Sequence, residues 1–223
     1  MLNMKYPEWE PIYSRILDDM GYDRDSDESS VRILKAVTVN SDLVTEDEIS
    51  DRFSDVATVF GDAPSLEAEL DMKGYSGTAV ASGSSVARLL KCGIMPDIVV
   101  TDLDGPIDAQ LEASESGALT FIHAHGDNSD LILRYAPMFK GPVILTTQSK
   151  PDTVVANYGG FTDGDRCVCI CQEFGVGRII LRGFDFDHPN PKEGSDPNVK
   201  LRKLSWAKRI IEAVSLKTEI ITG

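Results

Sequence analysis

The sequence predicts an α/β protein with a mostly parallel, Rossmann-like sheet and helices on both faces. Apolar runs of strand length, rich in Val, Ile and Leu, alternate with helical stretches, a pattern typical of sheets covered on both sides. The runs end in small or polar loops, where ligands bind in such folds. We expect an N-terminal helical element over residues 1–50 and an α/β catalytic domain over residues 51–223.

The N-terminal element is predicted to contain two helices joined by a loop. Apolar residues recur at helical spacing over residues 9–20, and Gly21 fits a helix C-cap. Residues 23–30 are acidic and polar, so we expect a loop there, followed by a second helix over residues 31–40. We interpret this element as a cap or docking element without chemistry of its own.

The remaining chain alternates between strands and helices. Strands are predicted over residues 56–60, 78–81, 98–101, 119–123, 143–146, 178–181 and 219–222. Helices are predicted over residues 66–70, 84–92, 107–116, 129–139, 164–174 and 199–216. The Pro-rich stretch 188–198 is expected to be a mobile loop that could act as a lid.

Charge and composition exclude several classes of partner. The net charge of −14 repels nucleic acid and anionic membranes. Residues 1–9 lack an apolar signal region and no stretch reaches membrane-spanning length, so we expect a cytoplasmic protein. Cys167, Cys169 and Cys171 alternate with apolar residues, which favours buried, reduced thiols over a metal site.

Two carboxylates directly follow the predicted strand 98–101. Asp102 and Asp104 stand one residue apart before a Gly-Pro turn. Alternate residues at a strand end point the same way, so both can face one site. Paired hard oxygen ligands suit Mg²⁺. The alternative is a solvated turn in which Asp104 caps the next helix.

A second polar strand end carries the sequence His-Ala-His-Gly-Asp-Asn over residues 123–128. We expect Asp127 to be a further carboxylate near Asp102. His125 and Asn128 are candidate substrate contacts, although a structural role is at least as good an explanation for each histidine.

Two loops of small residues follow the first two predicted strands of the sheet. Glycine permits close backbone approach, and a helix N-terminus attracts an anion. Simple helix capping explains the same residues about as well. No Walker motif is present. The candidate phosphate-binding residues are Gly61, Pro64, Ser65, Ser82, Gly83 and Ser84.

A glycine-rich loop precedes the predicted helix 164–174. It could bind phosphate or an aromatic ring through its backbone and hydroxyl group, with Arg166 stabilising negative charge. The alternative is that Thr162 or Asp163 caps the helix while Asp165 pairs with Arg166. The candidate ligand contacts here are Gly160, Phe161, Thr162, Asp163 and Arg166.

A further acidic pair follows the predicted strand 178–181. Asp185 lies between Phe184 and Phe186 and could recognise ring N–H donors of a substrate. A packed aromatic turn with exposed acids explains the same pattern.

Four of these motifs, at residues 61–66, 96–105, 123–128 and 159–166, together resemble the archaeal 6-hydroxymethyl-7,8-dihydropterin pyrophosphokinase family, which is related in fold to thiamine pyrophosphokinase. The resemblance implies Mg²⁺-dependent transfer of pyrophosphate from ATP to a reduced pterin, with release of AMP, in folate or tetrahydromethanopterin biosynthesis. It implies that Asp102 and Asp104 bind the metal and that Asp127 supports them. A homodimer is possible.

The chain departs from the family pattern at Ala63, where Gly is more frequent, and at Ser82, where Asp is more frequent. Several alternatives remain open at this point: a thiamine pyrophosphokinase, a haloacid-dehalogenase-type phosphatase, a glycosyltransferase with an Asp-x-Asp metal site, and a non-catalytic nucleotide- or pterin-binding module.

Overall fold

The computed structural model describes residues 5–188 and 196–222. It confirms the predicted fold class, because a single eight-stranded parallel sheet is covered by helices. The strands are β1 (Val56–Phe60), β2 (Thr78–Ser82), β3 (Ile98–Thr101), β4 (Leu119–Ala124), β5 (Val143–Thr147), β6 (Val155–Ala156), β7 (Arg178–Arg182) and β8 (Glu219–Ile221). Their order across the sheet is β6-β5-β4-β3-β2-β1-β7-β8.

Nine α-helices are described in residues 5–188 and 196–222. They are α1 (Tyr6–Met20), α2 (Arg24–Val37), α3 (Glu46–Ile49), α4 (Leu66–Lys73), α5 (Val86–Lys91), α6 (Ile107–Glu115), α7 (Ser129–Tyr135), α8 (Asp163–Glu173) and α9 (Pro197–Ser215). The predicted lid falls mostly on residues 189–195, which lie outside the described residues.

The helices bury apolar residues against both faces of the sheet. On one face, α1, α8 and α9 pack against alternate residues of the strands, including Val59, Val100 and Phe121. The other face is covered by α4 and α5 near Ala81, and by α2 and α7 near Ile122. Alternation of side chains along a strand places these two sets of residues on opposite faces.

The order of strands creates a crevice at the carboxyl end of the sheet. From β1 the chain builds β2 to β6 on one side, and then β7 pairs with the other side of β1. Ligands bind at such a reversal point in open α/β sheets. The loops after β1 and β7 meet there, since the Ala63 amide donates to the Gly183 carbonyl oxygen at 2.9 Å.

The predicted loop over residues 23–30 is wrong, because α2 begins at Arg24. Asp23 is its N-cap and accepts a hydrogen bond from the Ser26 amide at 3.2 Å. Acidic residues in the first turn of a helix are favoured by the helix dipole. The acidic composition that suggested a loop is therefore the start of a helix.

Two short elements, α3 and β6, have four and two residues and carry too little periodicity for sequence analysis to identify them. The alternating thiols of α8 are buried as expected. Burial raises the pKa of Cys167 and Cys169 well above the ordinary thiol value, so these thiols are protonated. Among the residues described, no helix has the length and apolar character needed to cross a membrane.

Candidate active site

A cavity of about 590 Å³ opens at the carboxyl end of the sheet, beside the crevice between β1 and β7. This volume lies within the range of small-molecule sites, about 300–1,000 Å³. The predicted site residues that line it are Gly61, Ser82, Ser84, Asp102, Asp104, His125, Phe161, Thr162, Asp163, Arg166 and Asp185. The described cavity wall does not include Pro64, Ser65, Gly83, Asp127, Asn128 or Gly160.

Asp102 is held in the cavity by the histidine of the next strand end. Its Oδ2 atom lies 3.3 Å from Nε2 of His125, and its side chain is one-quarter exposed. Burial alone raises the pKa of Asp102. The hydrogen bond and charge of His125, the charge of Arg166 and the Asp104 amide outweigh burial and lower that pKa below its ordinary value. Asp102 is therefore an anion at neutral pH.

The Asp102–Asp104 turn is strained. Leu103 has a φ of 68° and is the one non-glycine residue with positive φ among those described. Left-handed backbone is unfavourable for a residue with a side chain, but the Leu103 side chain is buried in the core. Both carboxylates line the cavity because of this turn. The expected strand alternation is not the cause, since β3 ends at Thr101.

A network of hydrogen bonds through the buried Gln110 side chain stabilises the Asp102–Asp104 turn. The Thr101 hydroxyl donates to Gln110 at 2.8 Å, and the Gln110 amide donates to the carbonyl oxygens of Gly83 at 3.2 Å and Asp104 at 3.3 Å. A Cβ atom at Gly83 would lie 2.4 Å from the Thr101 hydroxyl oxygen. Packing against this network therefore explains Gly83 without a ligand.

Asn128 and Asp127 differ from His125 in their placement. The buried Asn128 amide donates to the carbonyl oxygens of Asp102 at 2.9 Å and His123 at 2.7 Å. Asn128 thereby fixes the two loops to each other. Asp127 is exposed, and the structure does not bring it to the described wall of the cavity.

The acid that faces Asp102 comes from the start of α8. Asp163 forms an ion pair with Arg166, with Oδ1 2.9 Å from Nη1, and it lines the cavity together with Asp102. Burial, and then the charge of Asp102, raise the pKa of Asp163 well above its ordinary value, and Arg166 offsets only part of that increase. The sequence indicated that Asp163 is a ligand contact or a helix cap. It did not indicate that Asp163 lies close to Asp102.

The N-cap of α8 is Thr162, as the capping alternative predicted, and the capping box is completed by Asp165. The Oδ1 atom of Asp165 accepts from the Thr162 amide at 2.8 Å and from the Thr162 hydroxyl at 2.5 Å. The alternative pairing of Asp165 with Arg166 is wrong, because Arg166 pairs with Asp163 and with the Phe161 carbonyl oxygen at 2.7 Å. Among the described atoms, Nε of Arg166 is buried without a hydrogen-bond partner, so this donor remains for a ligand.

The carboxylates of the cavity suit a divalent cation bound together with phosphates. Asp102 and Asp163 repel each other, and a cation would offset that repulsion. In residues 5–188 and 196–222, no three acidic, histidine or cysteine side chains are grouped so as to hold a metal by themselves. The residues therefore fit Mg²⁺ bound by one or two carboxylates and completed by phosphate oxygens and water.

The loop after β1 has its backbone amides already engaged. The Gly61 amide donates to the Arg182 carbonyl oxygen at 2.9 Å, as the Ala63 amide does to Gly183. Arg88 holds the same loop by donating to the Asp62 and Ala63 carbonyl oxygens, both at 2.9 Å. The amides of Gly61 and Ala63 are therefore engaged within the protein, and phosphate binding by this loop stays a prediction.

Aromatic rings line the same end of the cavity. Phe161, Phe184 and Phe186 are on its wall, and Cβ atoms at Gly61 and Gly164 would lie 3.2 and 3.0 Å from the Phe184 ring. The glycines thus leave space for this ring. Asp185 lines the cavity, but its Oδ1 atom accepts from the amides of residues 187 and 188 at 3.0 and 2.9 Å.

Sequence analysis missed the basic residues that α9 brings to the cavity. Lys200 and Lys203 line it, and Nζ of Lys203 lies 5.9 Å from the centre of the Phe161 ring. In a chain of net charge −14, these residues and Arg166 bring positive charge to the site. In the sequence, the i, i+3 spacing of Lys200 and Lys203 indicates that they share a helix face. That spacing does not indicate what the face contacts.

Comparisons with known proteins identify a family model and three similar curated proteins. The family model described as 6-hydroxymethylpterin diphosphokinase MptE-like matches residues 32–191. A curated protein of Methanothermobacter thermautotrophicus is 38% identical over 94% of each chain, and one of Pyrococcus furiosus is 36% identical over 94% of each chain. A protein of Methanocaldococcus jannaschii is 32% identical over 97% of this chain and 98% of its own. All three are named 6-hydroxymethyl-7,8-dihydropterin pyrophosphokinase.

Proposed function

This chain belongs to the 6-hydroxymethylpterin diphosphokinase MptE-like family, and we propose that it transfers pyrophosphate from ATP to 6-hydroxymethyl-7,8-dihydropterin with the help of Mg²⁺. The chain is a transferase of the diphosphokinase class. The donor and the metal are part of the proposal. The products are the pterin diphosphate and AMP.

The observation that carries the proposal is the mixture of acidic and basic groups in one cavity. Asp102 and Asp104 line it together with Arg166 and Lys203. Carboxylates can hold a cation on phosphate oxygens, and the basic side chains can neutralise the remaining charge. Phe161 and its neighbouring rings offer a flat apolar surface to a base or a pterin.

The reaction needs alignment more than covalent help from the protein. The hydroxymethyl oxygen of the pterin attacks the β-phosphorus of ATP. That oxygen–phosphorus bond forms as the bond between the β-phosphorus and the α–β bridging oxygen breaks, and AMP leaves with that oxygen while the β- and γ-phosphoryl groups pass together to the pterin. The hydroxyl proton passes to a carboxylate of the cavity, which we assign to Asp104.

The residues of the chain have distinct roles in this scheme. Asp102 and Asp163 would hold Mg²⁺, which would supply charge neutralisation on the phosphates when bound. His125 orients Asp102 through the contact of 3.3 Å. Arg166 stabilises negative charge that develops on the transferred group.

Product analysis by liquid chromatography tests the proposal. The purified protein is mixed with ATP, Mg²⁺ and reduced 6-hydroxymethylpterin, with thiamine as acceptor in a parallel tube and EDTA in a third. We expect AMP and pterin diphosphate in equal amounts only with the pterin and Mg²⁺. AMP with thiamine alone would reject the pterin as acceptor, and turnover in EDTA would reject the metal.

The other outcomes identify the alternatives. Release of inorganic phosphate would indicate a phosphatase, and ATP binding without turnover would indicate a binding module. One observation argues against a haloacid-dehalogenase-type phosphatase, because that motif is expected on the first strand and Asp102 follows β3.

A further inference from the structure

We infer that Asp27, on helix α2, is a positioning residue for the cavity, and that the N-terminal helices hold the cavity wall in place. This inference rests on the proposed function, because it assigns to Asp27 the placement of residues that the proposal uses. Sequence analysis had assigned Asp27 to a loop without chemistry.

The Asp27 carboxylate is buried and accepts three hydrogen bonds. The residue is 3% exposed. Its Oδ1 atom accepts from the Gly126 amide at 2.6 Å, and its Oδ2 atom accepts from the Tyr13 hydroxyl at 2.5 Å and the Gln148 amide at 2.9 Å. Three hydrogen bonds converge on this one buried side chain, and buried donors are costly to leave without an acceptor, so Asp27 fixes three segments to one another.

The first of these segments is the polar loop at the end of β4. Gly126 directly follows His125, whose ring contacts Asp102 at 3.3 Å. A Cβ atom at Gly126 would lie 2.9 Å from Cβ of Ser26 and 3.4 Å from Oδ1 of Asp27. The close approach of α2 therefore requires glycine in this motif, which the sequence alone did not explain.

The second segment carries Gln148, which follows β5 and lines the cavity. Its side-chain amide donates to Asp27, and its carbonyl oxygen accepts from Nε1 of Trp9 at 2.8 Å. Helices α1 and α2 thus hold the cavity wall at two points. Loss of the carboxylate would leave two buried donors and the partly buried Gly126 amide without their acceptor, and α2 would lose its hydrogen bonds to both loops.

The test compares Asp27→Ala with a control on the same helix. Leu34→Ala removes a fully buried side chain that packs α2 against β4 and α7, so it weakens the packing of the helix and leaves the hydrogen bonds of Asp27 to Gly126 and Gln148 in place. Both are assayed well below their thermal midpoints, with circular dichroism to establish folding. We expect kcat to fall about 10–100-fold in Asp27→Ala, since a displacement of 1 Å can have such an effect, with little change in KM for ATP. We expect kcat of Leu34→Ala to stay within about threefold of the wild type, well short of that loss.

Asp27→Asn covers the case in which the alanine variant does not fold. Its carbonyl oxygen can still accept from the Gly126 amide, so we expect kcat to lie between those of the wild type and Asp27→Ala. Equal kcat in folded Asp27→Asn, Asp27→Ala and wild type would overturn the inference. A loss of kcat in Leu34→Ala as large as in Asp27→Ala would also overturn it, because the effect would then reflect general destabilisation.

Hydrogen exchange measured by mass spectrometry tests Asp27 independently of turnover. We expect faster exchange over residues 123–128 in Asp27→Ala than in Leu34→Ala. A wild-type protein without pterin diphosphokinase activity would contradict the proposed function, while the exchange result would still decide whether Asp27 holds the loop. Unchanged exchange in Asp27→Ala would reject the positioning role even if the enzyme is active.

Discussion

Asp102 and Asp163 come from distant parts of the chain and line one cavity, where Oδ2 of Asp102 lies 3.3 Å from Nε2 of His125 and Oδ1 of Asp163 lies 2.9 Å from Nη1 of Arg166. Asp102 follows β3 and Asp163 begins α8. The pair is asymmetric, because His125 lowers the pKa of Asp102 whereas burial and Asp102 itself raise the pKa of Asp163. Of these two carboxylates, Asp102 is therefore the one whose surroundings favour the ionised form.

Asp102→Asn is predicted to abolish turnover while the fold remains intact. The change removes the charge that would hold the cation in the proposed mechanism and keeps the shape of the side chain. Loss of one electrostatic contact of this kind lowers kcat by about 10²–10³-fold. Steady-state kinetics of AMP release, with circular dichroism for folding, measures the effect.

Asp127→Asn is the matched control for that variant. Asp127 follows the same pattern in sequence but is exposed and lies outside the described cavity wall, so we expect its kcat within about threefold of the wild type, far from the loss at Asp102. A folded Asp102→Asn enzyme with substantial activity would reject the metal-binding role of Asp102. A large loss of kcat in Asp127→Asn would show that Asp127 does contribute to the site.

Lys203→Met is predicted to weaken ATP binding. Lys203 lines the cavity and is half-buried, and a hydrogen bond to a charged group contributes about 1.5–3 kcal/mol. The KM for ATP should rise by one to two orders of magnitude on the same basis, with a smaller change in kcat. Initial rates at varied ATP concentration measure both parameters.

Lys208→Met provides the comparison for Lys203→Met. Lys208 is on the same helix but is exposed, lies outside the described cavity wall and pairs with Asp187 at 3.8 Å. Its KM for ATP should match that of the wild type. An equal increase in both variants would mean that net charge, not a contact in the cavity, determines the KM.

The sequence predicted the sheet well and the site in part, for a physical reason. Asp102 and Asp104 were identified because they directly follow an apolar run of strand length. The strand bounds predicted from such runs differ from the observed bounds by at most one residue at every strand except the short β6. The partners Asp163 and Lys203 come from helices that cross the sheet, and no local pattern indicates which strand end a helix faces. Asp27 was missed because an acidic helix start resembles a loop.

His123→Asn is predicted to reduce the pH dependence of stability. His123 is buried, with Nδ1 3.0 Å from the Thr146 hydroxyl. Burial, and then the charges of Arg166 and His125, lower the pKa of His123 well below 6.5. The unfolded chain binds a proton below about pH 6.5 that the folded protein does not, so falling pH favours unfolding.

Urea unfolding of both proteins at pH 8 and at pH 5.5 tests this linkage. The contribution of neutral His123 is fully present above about pH 6.5 and decreases below it. The wild type should therefore be more stable than His123→Asn by a larger margin at pH 8 than at pH 5.5. A margin that stays constant across this range would contradict the low pKa of His123.

Gly160→Ala is predicted to disturb both stability and catalysis through Arg166. Gly160 has a φ of +91°, and a Cβ atom there would lie 2.6 Å from Cα of Arg166. The start of α8 would have to move, and with it the guanidinium that pairs with Asp163. Left-handed backbone alone costs a residue with a side chain about 1–2 kcal/mol. We expect Gly160→Ala to lower the free energy of unfolding by more than this amount and to lower kcat as well.

Gly175→Ala separates strain from the clash. Gly175 has a φ of +78°, but no described atom lies within 4 Å of the position that its Cβ would take. This variant should lose about 1–2 kcal/mol of stability and keep the kcat of the wild type. Thermal unfolding and steady-state kinetics of Gly160→Ala and Gly175→Ala measure these effects. If both variants lose the same stability and keep the kcat of the wild type, the close approach of Gly160 to Arg166 does not constrain the site.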